Sequence, residues 1–305
     1  MSTHESGTHS EAAPAGELRP HVLVGVDGSE DGLRAVAYAV RTAVGREIDL
    51  LLVHAVDDAV LAGTWGVVYD PSSLEAAAGE VLSEATAHAT EIGMPADRIH
   101  TEVVLGNAAA VLAKLAKDAE LLVIGRRAIS GLERMFVGST SVSLASTASC
   151  PVVVISNAAN PSATGDRGVI AVGVECDKHS TLTLRAGFEE AQRRGASVLA
   201  MTVQSNVPPG MFGGYRLTND AEAEMKRAAE LQLADLVSSV AQDFPEVDHD
   251  LRVILGHPVE QLIATSSEVD LLVLGMRPPS VIGFSIGGVT RAVLAHAKSP
   301  LMVVH

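Results

Sequence analysis

Aromatic residues, cysteines and positive charges are all scarce in this sequence. Only 3% of its 305 residues are aromatic although 47% are hydrophobic, so the core must consist mainly of Ala, Val, Leu and Ile. Such a core is typical of parallel β-strands that are buried on both faces. The two cysteines, Cys150 and Cys176, lack metal-binding spacing, and neither a disulfide framework nor a zinc site is predicted.

The net charge of the chain limits the classes of molecule that it is expected to bind. Lys and Arg number 22 against 37 for Asp and Glu, which gives a formal net charge of -15. General binding to nucleic acid or to an anionic membrane requires a basic surface, so both partners are disfavoured. No apolar run approaches the length of a membrane helix and the N-terminus has no hydrophobic signal core, so a cytoplasmic location is expected.

The sequence repeats itself after about 150 residues, which predicts two domains of similar fold. Gly25 corresponds to Gly173, Gly125 to Gly275, and the strand CPVVVIS to SPLMVVH. The predicted divisions are a disordered Ser-, Ala-, Gly- and Pro-rich tail at 1–20, a first domain at 21–157, a linker at 158–167 and a second domain at 168–305.

Short apolar runs alternate with helical patterns in each repeat. This alternation predicts an α/β fold with two tandem, doubly wound domains, each a Rossmann-like three-layer sandwich around a five-stranded parallel sheet. In the first domain the expected strands are 22–26, 50–56, 100–104, 121–124 and 152–155, and the expected helices are 31–44, 74–91, 108–117 and 141–147.

Ligands of such sheets bind beyond the carboxyl ends of the strands, where the strand order reverses. Asp27 follows the first strand and is placed to bind a ribose hydroxyl, whereas Ser29 is interpreted as a helix cap. His54 is interpreted as a core residue. Gly106 is interpreted either as a glycine at the ligand-binding edge of the sheet or as a residue that only permits a tight turn.

The segment VIGRRAISGLERMFVGST, from Val123 to Thr140, predicts a phosphate site. Gly125 would let a ligand approach the backbone, and Arg126 and Arg127 would supply positive charge. Gly138, Ser139 and Thr140 would open a helix whose free N–H groups bind an anion. Neither the G-x-x-x-x-G-K-[S/T] loop nor G-x-G-x-x-G lies at a strand end, so binding without enzymatic turnover is expected.

These residues resemble the ATP-binding motif of the universal stress protein family, in its tandem two-domain form common in actinobacteria. The motif G-x2-G-x9-G-[S/T] reads here from Gly125 to Ser139, with Ala128 in place of the second glycine, and a Pro-Val-Val-Val strand follows. The resemblance implies an adenine nucleotide alpha hydrolase-like fold and ATP as ligand, with or without Mg²⁺.

The resemblance also implies roles for single residues. Asp27 would hold the ribose or the adenine edge, and the backbone at Ala55 would meet adenine. The final strands of the two domains would pair within the chain as a pseudo-dimer, with a homodimer as the alternative. The complete predicted nucleotide-binding set is Gly25, Val26, Asp27, Ala55, Gly106, Gly125, Arg126, Arg127, Gly138, Ser139 and Thr140.

The second domain departs from this pattern. Glu175 takes the position of Asp27, Cys176-Asp177 replace Gly28-Ser29, and Gly287-Gly288 replace Gly138-Ser139. Two prolines, at 278 and 279, remove N–H donors from the loop. Weak or absent nucleotide binding is therefore expected there. The segments at 61–73 and 206–217 could be lids or packing loops, and the sequence favours neither.

Two functions from different classes remain open. The first is an ATP-binding stress-response protein that senses or signals nucleotide status through conformation or choice of protein partner. The second is a nucleotide-independent interaction protein. A phosphotransferase or hydrolase ranks lowest, because no general base or metal-binding carboxylates are evident in the sequence.

Overall fold

A computed structural model describes residues 19–57, 71–126, 138–155, 167–177, 179–205, 219–276 and 287–305. Most of the predicted tail, most of the linker, Arg127, Ala128 and the larger part of both segments after the second strands lie outside these ranges.

The described strands form one continuous ten-stranded sheet. Its order is β3-β2-β1-β4-β5-β10-β9-β6-β7-β8, and every neighbouring pair is parallel except β5 with β10. The strands are β1 (His21–Gly25), β2 (Asp49–Val56), β3 (Ile99–Leu105), β4 (Leu121–Gly125), β5 (Val152–Ile155), β6 (Val169–Gly173), β7 (Ser197–Gln204), β8 (His249–Leu255), β9 (Leu271–Gly275) and β10 (Leu301–Val304).

Helices cover both faces of the sheet, which confirms the predicted α/β sandwich. Alternate residues of each strand point to opposite faces. Val22 and Val24 pack on the face that carries α1, α2, α5 and α6, and Leu23 packs on the face that carries the other four helices. The described helices are α1 (Glu30–Arg46), α2 (Pro71–Glu91), α3 (Ala108–Leu115), α4 (Ser139–Thr147), α5 (Ser180–Arg194), α6 (Asn219–Ala241), α7 (Pro258–Ser266) and α8 (Gly288–His296).

The strand order reverses once in each half. The chain runs from β1 through β2 to β3, and then returns to place β4 on the other side of β1. The second half repeats this course with β6, β7, β8 and β9. The crevices beyond the carboxyl ends of β1 and β4, and of β6 and β9, are therefore the two positions that favour ligand binding.

The two halves meet where β5 and β10 pair antiparallel. Met302 lies opposite Val153, and all four residues of each strand are buried. This contact confirms the intrachain strand pairing that the family resemblance implied. It also makes the sheet continuous across the molecule, so that the two crevices are fixed relative to one another.

The predicted elements agree with the structure to within a few residues at their ends. Helix α1 begins at Glu30 rather than 31, because the Ser29 side chain accepts a hydrogen bond from Gly32 N at 3.1 Å. Helix α4 begins at Ser139 rather than 141, because Gly138 is already its N-cap. Helix α3 ends at Leu115, two residues earlier than predicted.

Candidate functional site

The first crevice begins at the exit of β1, where Asp27 and Ser29 form a hydrogen-bonded turn. The Ser29 amide and hydroxyl both donate to Asp27 Oδ1, at 3.1 and 2.5 Å. Ser29 in turn caps α1, as the sequence predicted. The exposed Asp27 carboxylate thus orients the cap, and it also faces solvent at the sheet edge.

The half-buried side chain of His54, which lies on β2, holds the backbone of the residue that follows β1. Its Nδ1 lies 2.8 Å from the carbonyl oxygen of Val26, while the Val26 amide donates to Val53 O at 2.9 Å. This geometry agrees with the structural interpretation of His54. Ala55 follows on β2, half-buried at the crevice.

Gly106 is required by the backbone turn after β3. Its φ is +133°, which L side chains rarely adopt, and its amide donates to Val56 O at 2.8 Å. The next residue, Asn107, caps α3 by accepting from the amides of Ala109 and Ala110. The tight turn therefore explains why position 106 is a glycine.

The start of helix α1 approaches the backbone of Gly125, whereas the ligand approach expected from the sequence stays a prediction. A Cβ at this position would lie 2.5 Å from the carbonyl carbon of Asp31 and 2.7 Å from the amide nitrogen of Gly32. Gly125 thus allows the first turn of α1 to pack against the end of β4. At the corresponding position of the second half, a Cβ on Gly275 would collide with Thr183 of α5.

The expected role of Arg126 needs correction. Its guanidinium donates to the carbonyl oxygens of Leu294, at 3.4 Å, and Ala295, near the end of α8 in the second half. Positive charge is favourable at a helix C-terminus. Burial lowers the pKa of Arg126, and the nearby Asp31 carboxylate opposes that shift. Arg126 therefore joins the two halves rather than facing the phosphate position.

A second side chain makes the reciprocal contact. His305, which follows β10, places Nε2 2.9 Å from the carbonyl oxygen of Ala145 in α4. Each of the two helices nearest the junction thus has a late carbonyl group in contact with a nitrogen-bearing side chain from the opposite half.

Helix α4 presents its N-terminus at the carboxyl edge of the first half. Gly138 is the N-cap with φ −58° and ψ 140°, and among the described residues no side chain caps this helix. Ser139 is exposed and Thr140 half-buried in the first turn. These backbone N–H groups and hydroxyls form an arrangement that can bind an anion.

The second crevice contains a cavity of about 620 Å³ at the carboxyl ends of β6, β7 and β9. Met201, Met225 and Met276 line it together with Leu262 and Leu274. This volume is in the range of small-molecule sites. The sequence predicted weak or absent nucleotide binding here. It did not reveal the cavity, because Met225 comes from α6 and is distant in the sequence from the other lining residues.

Polar groups at the mouth of this cavity differ from those in the first half. Asp177 Oδ1 accepts from the amides of His179 and Ser180 at 3.0 and 3.1 Å, so a carboxylate of the chain itself occupies the start of α5. Glu175 also lines the cavity and is exposed. The N-cap of α8, Gly287, has φ −56° and ψ 142°, close to the values at Gly138.

Sequence reasoning also underrated Asp31, whose position is buried in the first turn of α1. It is 4% exposed, and its Oδ1 lies 2.7 Å from Arg34 Nη1. In the sequence it stands beside Glu30 as an ordinary acidic residue of a first helical turn. The burial of Asp31 follows from the packing of the first turn of α1 against Gly125. The sequence alone does not show that packing.

Neither cysteine is in a disulfide, and burial raises the pKa of Cys150 to about 11, which makes its thiol unreactive.

Within the described ranges, no group of three or more His, Cys, Asp or Glu side chains is placed to hold a metal ion. The helices in these ranges include none with the length and apolar character needed to cross a membrane.

The fold and its two crevices define a tandem α/β protein of the doubly wound class. The family model described as the universal stress protein family matches residues 19–156 and again 167–305. The chain therefore belongs to the universal stress protein family, as its motif predicted.

Similar proteins span nearly the whole chain. Universal stress protein Rv2005c of Mycobacterium tuberculosis is 28% identical over 293 residues, which cover 92% of this chain and 96% of the relative. Universal stress protein Rv2623 of the same organism is 30% identical over 294 residues, covering 92% and 95%. A universal stress protein structure from Archaeoglobus fulgidus has the same fold, with a TM-score of 0.66, 15% identity, and coverage of 93% and 97%.

Proposed function

We propose that this universal stress protein binds ATP in the crevice of its first half and acts as a nucleotide-linked regulator. The observation that carries the proposal is the N-terminus of α4, which is capped by Gly138 and begins with Ser139 and Thr140. It lies at the edge where β1 and β4 end, which is where doubly wound sheets hold nucleotides.

The donors at this edge fit a phosphate chain. A helix N-terminus carries about half a positive charge and presents unpaired N–H groups, and hydroxyl groups add further donors. In a chain of net charge -15, such a focused site gives an anion a favourable position that the surrounding surface does not. Asp27, at the end of β1, would accept a hydrogen bond from a ribose hydroxyl through the carboxylate surface that faces solvent.

We propose binding without efficient turnover. Two groups near the exits of β1 and β2 that could move a proton, Asp27 and His54, hold the Ser29 turn and the Val26 carbonyl. Nucleotide would then act by stabilising one conformation of the crevice and changing the protein partners that the molecule binds. Cytoplasmic location and a possible homodimer belong to this proposal as well.

Thermal unfolding with and without ATP, in the presence and absence of MgCl2, tests the proposal. A ligand at about 100 times its dissociation constant stabilises the native state by about 2.7 kcal/mol. Gly138→Asp should remove this stabilisation, because it places bulk and negative charge at the phosphate position. The matched variant Gly287→Asp, in the second half, should retain it.

Three results would count against the proposal. No stabilisation of the unaltered chain at millimolar ATP would favour the nucleotide-independent interaction protein. Loss of the effect in Gly287→Asp but not in Gly138→Asp would move the nucleotide to the second half. Mass spectrometry of small molecules that co-purify with the protein should find adenine nucleotide, and a different ligand would replace ATP in the proposal.

A further inference from the structure

We propose that the cavity of the second half is a separate binding site for an uncharged aromatic molecule that carries no phosphate group. The site consists of described residues from β6, β7, β9, α5, α6, α7 and α8 and from the segments that follow the three strands. Its ligand would differ in chemical class from the nucleotide of the first half, and the argument does not depend on nucleotide binding there.

One part of the cavity wall is apolar and adaptable. Met201, Met225 and Met276 line it with Leu262 and Val289, and Met201 and Met276 are almost fully buried in the absence of a ligand. Methionine is flexible, and its thioether makes favourable contacts with aromatic rings, worth about 0.3–1.5 kcal/mol each. Three such side chains around about 620 Å³ therefore favour an aromatic ligand of moderate size.

Comparison of the two repeats shows which side chains differ at corresponding positions of the two crevices. Met276 stands where the first half has Arg126, and its thioether lines the cavity. Gly288 and Val289 stand where the first half has Ser139 and Thr140, so two hydroxyl donors are lost and an isopropyl group faces the ligand position. Both changes add apolar surface, and the second also removes hydroxyl groups that would bind phosphate.

The charges of the described wall also disfavour an anion. Glu175 and Asp177 both line the cavity, so a phosphate group would enter against two carboxylates. Asp177 already accepts hydrogen bonds from the first amides of α5, which therefore do not serve as a phosphate cradle. Two basic residues, at 178 and 277, are neighbours of lining residues in the sequence. Both lie outside the described residues.

The remaining polar groups suit a ligand with a small hydrogen-bonding edge. Besides Glu175 and Asp177, the polar residues of the described lining are His179, Ser180, Thr183, Thr202, Gln204, Ser205 and Thr290. A mostly apolar pocket with a few hydrogen-bonding groups is the usual design of a site for an uncharged small molecule.

The neutral dye 1-N-phenylnaphthylamine, whose fluorescence rises in apolar sites, is a suitable probe of the full-length protein. The unaltered chain should bind one equivalent. Val289→Trp should weaken that binding by about tenfold or more, because the indole fills the cavity. The matched variant Thr140→Trp, at the corresponding position of the first half, should leave dye binding unchanged and remove the stabilisation by ATP.

Competition with ATP tests the charge argument without any variant. Millimolar ATP should not displace the dye from the unaltered chain. Displacement by ATP, an absence of dye binding, or equal dye affinity in Val289→Trp that keeps its thermal transition would each overturn the inference. Failure of ATP to stabilise the chain, with dye binding as expected, would contradict only the proposed function of the first half.

Discussion

Glu190 of α5 and Arg46 of α1 form a buried ion pair between the two halves of the molecule. Glu190 is 3% exposed and also accepts from Arg193 at 2.7 Å and from Arg194 at 2.9 Å. Arg194 donates in turn to the Tyr38 hydroxyl of the first half at 2.5 Å, with its guanidinium over the tyrosine ring. Three guanidinium groups thus share the Glu190 carboxylate at the junction.

Replacing Glu190 by glutamine should destabilise the protein by about 3–5 kcal/mol, because the guanidinium groups would lose their common partner in a buried position. The free energy of unfolding in urea at pH 7 measures this. Glu189→Gln is the matched control, since its carboxylate is 42% exposed and pairs with Arg193 at 3.4 Å. That control should cost less than about 1 kcal/mol. Equal effects in the two variants would show that the junction does not depend on the Glu190 charge.

The contribution of Glu190 should disappear in acid. Burial raises the pKa of its carboxyl group, but Arg194, Arg46 and Arg193 oppose this and bring the net pKa below the ordinary value. A lowered folded-state pKa gives stability that is complete above the unfolded-state pKa of about 4.3 and is lost as the pH falls through the folded-state value. The difference in unfolding free energy between the unaltered chain and Glu190→Gln should therefore be constant near neutral pH and shrink below about pH 4. A difference that grew in acid would contradict this assignment.

Arg126→Met should weaken the junction and leave the nucleotide site intact. The variant carries the residue that the second half has at this position, Met276, and loses the hydrogen bonds to Leu294 and Ala295. We expect a loss of about 1–2 kcal/mol in unfolding free energy. Stabilisation by ATP should be unchanged. The opposite pattern, normal stability with ATP binding lost, would restore the phosphate role that the sequence predicted for Arg126.

Gly125→Ala should destabilise the chain by about 1–3 kcal/mol, because its Cβ would collide with rigid backbone atoms of Asp31 and Gly32. The helical Gly79 is a control, since a Cβ there would meet no atom within 4 Å. Gly79→Ala should instead stabilise by about 0.5–1 kcal/mol. Urea unfolding of both variants provides the comparison, and a tolerated Gly125→Ala would mean that α1 can move away from β4.

The two halves end their first helices with the same backbone geometry but different residues. Glu47 caps α1 with φ 55°, and Gly195 caps α5 with φ 61°. Glu47→Gly should stabilise by about 1 kcal/mol, and Gly195→Ala should destabilise by a similar amount, because left-handed backbone favours glycine. Thermal unfolding should show opposite shifts of the midpoint, whereas shifts of the same sign would contradict the backbone explanation.

Much of the fold followed from the sequence because local patterns determine it. Apolar runs such as Val152–Ile155 have the length and composition of buried strands, and Ser29 and Asn107 have the side chains of helix caps. The repeat supplied the two-domain organisation. The position of Gly138 at the start of α4 also followed, since Gly-Ser-Thr before an apolar helix is a local signal.

The directions of the side chains at the junction could not be predicted. Arg126 and Leu294 are 168 residues apart, and they meet only because β5 and β10 pair antiparallel. The partners of Glu190 depend on the same geometry, since Arg46 is 144 residues away. The close approach of α1 to Gly125 also could not be predicted, because the motif does not show which helix packs there.

The pairing of β5 with β10 also has a consequence for the order of synthesis. Val152–Ile155 leave the ribosome about 150 residues before Leu301–Val304, which is about 10–30 s at ordinary elongation rates. During that interval the nascent first half exposes an edge of four uncharged β-branched residues, which is the type of surface that pairs with other chains. The edge of β5 is therefore covered only after β10 has been synthesised.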